Sequence, residues 1–211
     1  MKFMKEAAPS FSYDQKSIFI GIDEVGRGPI AGPVTIGIFV VPKKYLAKVH
    51  IKLSGIQDSK KLSSQQRNHY KTIVDTLIAS KQCWYTTVSV SARIIERNGI
   101  TKSIRRAMHV GLRRLGLDPH QCHVFLDGGL YISEEWSQET IIKGDQSNWL
   151  ISTASVIAKV IRDHFMESLH ERYPQYGFNQ HKGYGTKVHY AAIDKYGMST
   201  YHRSSWIKKQ S

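Results

Sequence analysis

Two β-rich apolar runs lie close together near the start of the chain, at residues 17–23 and 33–41. Only turn chemistry (Gly26, Gly28, Pro29 and Gly32) separates them. Short continuous runs of this kind read as buried strands. Strands so near in sequence predict a hairpin-like antiparallel pair. Helical spacing follows over 63–79, where Tyr70, Ile73, Val74, Leu77 and Ile78 fall on one side. A third strand is predicted over 82–90, then a basic amphipathic helix over 100–115 with Ile104, Met108 and Leu112 on one face and Val110 and Leu115 beside it. Two more strands, 122–127 and 139–143, precede the longest helix, 147–173, and a short last one over 188–196. Mixed strands and helices around one sheet define an α/β layer fold, and the opening hairpin argues against a purely parallel doubly wound sheet. No repeat, low-complexity stretch or linker divides the chain. Residues 1–16 read as a short polar lead-in and 17–211 as a single domain.

Composition narrows the class. With 211 residues, 41% of them hydrophobic and 22% charged, the chain is neither disordered nor collagen-like. A chain this long buries roughly 70% of its unfolded surface and needs no disulfide or metal staple. Cys83 and Cys122 form no CxxC pair and read as buried thiols in a reducing compartment. No apolar run approaches the roughly 18 residues of a membrane span, and residues 1–16 hold no signal-peptide core. A soluble cytoplasmic protein is expected. Its formal charge of +13 implies a polyanionic partner, nucleic acid first and acidic membrane second.

In so basic a chain the few acids are the informative minority. Asp23 and Glu24 end the first predicted strand and run into Gly26-Arg27-Gly28. Asp127 ends another apolar strand and precedes Gly128-Gly129, and Asp145 lies in Lys143-Gly144-Asp145 just ahead of the long helix. If these strand ends converge, four carboxylates share one small region. Such a cluster needs compensation, and oxygen-only ligation selects Mg²⁺ or Mn²⁺, the ions that assist phosphodiester cleavage. The other reading makes each Asp a turn residue or helix cap, Asp145 beside Ser147 above all. Adjacent strand residues point to opposite faces, so Asp23 and Glu24 can reach the same ion only if the chain leaves regular strand geometry there, as the Gly-rich turn that follows allows.

Other patterns carry less. Gly26, Gly28 and Gly32 miss the GxGxxG spacing by one position, and no P-loop, HExxH or nucleophile elbow occurs. His120 and His123 flank Cys122 without a second ligand cluster for zinc. Lysines around Asp58-Ser59-Lys60-Lys61-Leu62-Ser63 either track phosphates or form a solvated turn. The bases of 93–114 read as a solvated helix face. The C-terminal part interleaves bases with aromatics, a pattern suited to stacking beside phosphates, although several of those rings must also be core. His181-Lys182-Gly183-Tyr184-Gly185 stands out, since glycines on both sides of Tyr184 allow a ligand close approach.

These blocks, taken in order, resemble the bacterial type 2 ribonucleases H (ribonuclease HII). The resemblance is carried by Gly21-Ile22-Asp23-Glu24-Val25-Gly26-Arg27-Gly28-Pro29, by Asp58 to Ser63, by Val124 to Gly128, by Lys143-Gly144-Asp145 with Ser152 to Asp163, by His181 to Thr186 and by His202 to Trp206. It covers nearly the whole chain. It implies a ribonuclease H-like mixed sheet flanked by helices, with a C-terminal helical segment. It implies metal ligands at Asp23, Glu24, Asp127 and Asp145 for Mn²⁺ or Mg²⁺. A reader of the ribose 2′-OH is implied at Gly26, Arg27 and Gly28, with Tyr184 against the sugar and Lys60 and Lys61 on phosphates. The implied reaction is endonucleolytic hydrolysis of RNA in RNA–DNA hybrids and 5′ of ribonucleotides embedded in duplex DNA, leaving a 3′-OH and a 5′-phosphate. The expected partners are those nucleic acids, with no membrane, and the expected state is a monomer. A non-catalytic nucleic-acid-binding protein on the same fold is the alternative. Arg162 and Asp163 read as structural, since Asp163 lies about 27 Å along the helix from Asp145 at 1.5 Å per residue. The chain departs from the family pattern at Met198, commonly proline, and Trp206, commonly phenylalanine. The sibling type 3 enzymes carry an extra N-terminal domain, and with 22 residues ahead of Asp23 none is expected here. Residues 206–211 show no clear sliding-clamp motif.

Overall fold

β1 (Ile18–Val25) pairs antiparallel with β2 (Val34–Pro42), placing Ile22 opposite Ile38. This is the pairing that the two neighbouring apolar runs predict. The structure is a computed structural model that describes residues 16–56 and 59–207. Most of the N-terminal lead-in, Asp58 of the second block and the last four residues of the chain lie outside the described residues. β3 (Trp84–Val90) adds antiparallel to β2, while β4 (Cys122–Asp127) and β5 (Ser137–Ile141) add parallel on the other side of β1. The sheet order is β3-β2-β1-β4-β5, a mixed sheet. β2 is buried on both faces along almost its whole length, which is why its sequence reads as a continuous apolar run rather than an alternating one.

Helices cover both faces. On one, α3 (Ala92–Asn98) and α4 (Ile100–Leu115) bury Ile95, Ile104, Met108 and Leu112 against Ile20, Ile22, Ile36 and Ile38. The arginines of α4 point outward, so its bases form a solvated face, and Gly116 in the left-handed conformation ends the helix. On the other face lie α1 (Leu46–Lys52), α2 (Ser64–Ala79) and the long α6 (Trp149–Arg172), which follows the short α5 (Gly144–Ser147). Val49, Leu53, Val74, Leu77, Leu150, Ala154 and Ile157 pack there on Phe19, Phe39 and Val41. α2 begins in a capping box, Ser63 with Gln66, which fixes its start one residue past the sequence estimate. A third cluster, around Met166, Leu169, Tyr176 and Phe178, seats α7 (Phe178–His181) and α8 (Lys187–Tyr196) against the end of α6. Among the described residues no helix is long and apolar enough to cross a membrane.

The approach of α6 to the sheet depends on Gly21. A Cβ there would sit 2.2 Å from the carbonyl carbon of Leu150. With no side chain in the way, the first turn of α6 lies directly on β1, close to the strand end that carries Asp23. Backbone cannot yield as a flexible side chain can. Gly21→Ala should therefore destabilise the protein by about 1–3 kcal/mol through overpacking. Urea unfolding measures this, and an unchanged midpoint would show that α6 has room to retreat.

Candidate active site

β1 is regular through Val25, with Asp23 opposite Gly37 and Glu24 opposite Ile36. The departure from strand geometry expected of two acids on one ion is not found at Asp23 and Glu24. What brings them together is the other neighbour. The parallel pairing of β1 with β4 ends at Ile22 and Leu126, so beyond that point the two strands part and leave a gap. Asp23 and Glu24 on one strand and Asp127 on the other border it.

Asp145 joins from α5. Lys143 adopts a left-handed conformation ahead of that turn, and the Asp145 N–H donates to Asp127 Oδ1 at 3.3 Å. The capping reading for Asp145 does not hold. Asn148 caps α6, its side chain accepting from the N–H groups of Leu150 and Ile151. All four carboxylates line one cleft of about 580 Å³, together with Gly26, Arg27, Gly28, Lys60 and Tyr184. Lys61 is exposed and is not among its lining residues. A larger groove, of about 1220 Å³, opens at the opposite end of β1, but among the described residues no Asp or Glu lines it.

The charges in the cleft are unevenly compensated. Arg27 reaches Glu24 at 3.2 Å, and Lys60 Nζ lies 4.0 Å from Asp145. Asp23 is buried, and among the described residues no cation lies within ion-pair distance of it. Burial, then the Glu24 and Asp127 charges, hold its carboxyl well above the usual carboxylate range. Against them work the Ser155 hydroxyl and the Glu24 N–H, which donates at 2.7 Å. Burial also raises Glu24, with Arg27 opposing. The carboxylates share a cleft without closing into a cage, since among the described residues no three His, Cys, Asp or Glu side chains are set to hold one ion in common.

Sequence reasoning gave no site role to Ser59, Arg67, Ser155 or Lys159, which also line the cleft. Ser59 and Ser155 hydroxyls lie 2.9 Å apart, and Ser155 hands the chain on to Asp23. The signal was present in α6, where Ser155, Lys159 and Asp163 recur every four residues in a mostly apolar helix and so share a face. Asp163 takes Lys159 at 2.8 Å and Arg67 at 3.6 Å and does not line the cleft.

The loop 26–33, whose first three residues form one wall of the cleft, is held by two fully buried arginines. Arg162 donates to the carbonyls of Pro33, Lys182 and Ala31. Arg203 donates to those of Gly26, Arg27 and Gly32. Gly26 has a φ of +92°, and a Cβ there would meet Arg162 Nε at 2.2 Å, so only glycine admits the guanidinium. Burial and the nearby Arg162 charge pull Arg203 down to about 10, which leaves it cationic at neutral pH. Backbone hydrogen bonds add the C-terminal loops to the same wall, Ile30 and Ala31 donating to Gly183 and Arg203 to Ile30.

A mixed sheet of this order, with carboxylates gathered where two parallel strands part, defines a ribonuclease H-like hydrolase. The ribonuclease H2 of Pyrococcus horikoshii has the same fold, with a TM-score of 0.70 at 23% identity over 90% of this chain and 93% of that one. Bst-RNase HIII, solved in complex with Mn²⁺, gives 0.66 at 18% identity over 90% of this chain and 68% of its own. The family model for ribonuclease HII matches residues 20–209. The ribonuclease HII of Oceanobacillus iheyensis is 41% identical over 186 residues, 88% of this chain and 67% of that protein. The chain belongs to the ribonuclease HII family.

The buried arginines generate a test of the wall. Arg203→Met removes four hydrogen bonds to carbonyls and strands their acceptors. The expected loss is about 3–5 kcal/mol, and Arg203→Lys should recover little because an ammonium cannot reproduce the fork. Chemical denaturation checks both, and a lysine variant as stable as the parent would contradict the assigned geometry.

Proposed function

We propose that the protein is an endoribonuclease that hydrolyses the RNA strand of RNA–DNA hybrids and cuts 5′ of single ribonucleotides in duplex DNA. It works as one catalytic domain over residues 17–211, as a monomer, in the cytoplasm. The observation that carries this reading is Asp23, a buried carboxylate faced by Glu24 and Asp127 and without a cation beside it among the described residues. A hard divalent cation suits an all-oxygen donor set of this kind. Asp23, Glu24, Asp127 and Asp145 would hold Mg²⁺ or Mn²⁺, which when bound supplies an activated water and stabilises the leaving oxygen.

The chain's own groups set where the cut falls. The turn at Gly26-Arg27-Gly28 offers backbone with little side chain in front of it, which lets a ribose and its 2′-OH come close. The Tyr184 ring stands across from Gly28, 4.0 Å from where a Cβ there would be, and closes the slot on the sugar side. Arg27 and Lys60, both exposed at the cleft, take phosphates on either side. Hydrolysis breaks the P–O3′ bond, so the upstream strand keeps a 3′-OH and the ribonucleotide keeps its 5′-phosphate.

With Mg²⁺ or Mn²⁺ and a long RNA–DNA hybrid, the parent protein should cut the RNA strand, and Asp23→Asn and Asp145→Asn should abolish cutting. Without metal the same variants should unfold at the parent's temperature or higher, because like-charge repulsion falls. A clear drop in melting temperature would count against the cluster. Tyr184→Ala should weaken ribose discrimination more than affinity for plain duplex DNA, and equal losses in both would refute its place against the sugar.

A further inference from the structure

The C-terminal segment holds histidines for which the proposed chemistry has no use. His181, His189 and His202 surround Phe178, and the rings of His181 and His189 stack with centroids 4.2 Å apart. His189 and His202 are buried. Their hydrogen bonds fix the tautomer of each ring in turn. His189 Nδ1 lies 2.9 Å from the carbonyl of Tyr184, which only accepts, so Nδ1 carries the proton. In the neutral ring His189 Nε2 is then an acceptor. It sits 3.1 Å from His202 Nε2, which must donate. His202 Nδ1 is left as an acceptor: the Ser199 N–H points at it from 2.9 Å with the Ser199 hydroxyl at 2.8 Å, while the Ser199 carbonyl, which could only accept from it, lies farther off at 3.3 Å. The relay therefore runs from Ser199 through His202 and His189 to the Tyr184 carbonyl, every donor meeting an acceptor. Burial, which draws His189 down to about 4 and lowers His202 as well, keeps both rings neutral at neutral pH.

The relay ends on the residue whose ring borders the cleft. The carbonyl of Tyr184 takes both His189 Nδ1–H and the Thr186 N–H, its own N–H donates to the His181 carbonyl, and the carbonyl of its neighbour Gly183 is held by the N–H groups of Ile30 and Ala31; among these His189 is the side-chain contribution. The ring itself is exposed, with 45% of the residue accessible, and no hydrogen bond of its hydroxyl fixes it among the described residues. Its placement across from Gly28 therefore depends on its backbone. We propose that His189 and His202 are positioning residues that fix Tyr184 at the sugar side of the cleft through a relay of two neutral imidazoles. This rests on the reading of Tyr184 as the ribose contact.

Two measurements test it. In the ¹⁵N-labelled protein at neutral pH, long-range ¹⁵N–¹H correlation should show His189 as the Nδ1–H tautomer, the rarer form in water, and His202 as Nε2–H. The opposite assignment at either ring overturns the relay, whatever any variant does. Cleavage of a duplex with one embedded ribonucleotide is then compared between the parent, His189→Leu, His189→Asn, Tyr184→Ala and the double variant His189→Leu/Tyr184→Ala, with binding to plain duplex DNA as the reference. His189→Leu should lose about tenfold in cleavage efficiency, the worth of one hydrogen bond, with plain-duplex binding unchanged. His189→Asn, whose amide can reach the Tyr184 carbonyl, should recover most of that loss. The double variant should be no worse than Tyr184→Ala alone. A Tyr184→Ala variant that cleaves like the parent overturns the ribose reading and the proposal with it. If Tyr184→Ala is impaired while His189→Leu is not, or if their losses add, the ribose reading stands and the positioning role falls.

Discussion

Two buried guanidinium groups whose hydrogen bonds, among the described residues, go to backbone carbonyls organise this protein. Arg162 from α6 and Arg203 from near the C-terminus spend their N–H groups on backbone carbonyls of one loop, residues 26–33, and on Lys182. Buried cations are costly unless every donor is satisfied, and here the loop must take one shape to satisfy them. That shape places Gly26 where only glycine fits and brings the Gly183 loop and the Arg203 segment against the same wall. Trp206 covers Arg203, with the guanidinium 4.8 Å from the ring centroid. Parts of the chain more than 170 residues apart thus meet at the edge of a single cleft.

The carboxylates obey a second constraint, the end of a parallel ladder. β1 and β4 stay paired to Ile22 and Leu126 and then separate. The acids one step further along each strand border the opening, and Asp145 is delivered from the short turn of α5 because Asn148 has taken over the capping of α6. Neither device needs a departure from regular strand geometry. Cationic wall and acidic opening are neighbours, so the basic surplus of the chain surrounds the cleft through Arg27, Lys60, Arg67 and Lys159 while its centre stays acidic.

Much of this was legible in the sequence. The antiparallel opening pair, the span of α4 and β4 and the carboxylates of Asp23, Glu24 and Asp127 at strand ends followed from apolar runs and glycine turns, whereas Asp145, read as the product of a third strand end, comes from the short turn of α5. Helices α1 and α3 were not, because 46–52 and 92–98 are seven residues each, too short for a periodic pattern to stand out. The fifth strand was placed late, since its alternation is weak and it starts at Ser137. The roles of Arg162 and Arg203 toward the loop left no local trace, because their partners are backbone carbonyls, which have no side-chain signature, 129 and more residues away. Ser155 and Lys159 lie in the family-like stretch of α6, and their four-residue spacing on an apolar helix is a usable signal for a place at the cleft. For Lys61, side-chain type alone could not separate a base at the cleft from one facing solvent.

The account stands most directly on where a single ribonucleotide is cut. A DNA duplex with one ribonucleotide, labelled on the ribonucleotide-bearing strand, is incubated with the protein and Mg²⁺ or Mn²⁺, and the product ends are mapped. One nick immediately 5′ of the ribonucleotide, with a 3′-OH and a 5′-phosphate and none in an all-DNA duplex, is the predicted result. No nick with either metal, or cutting of the all-DNA duplex at the same rate, would contradict it.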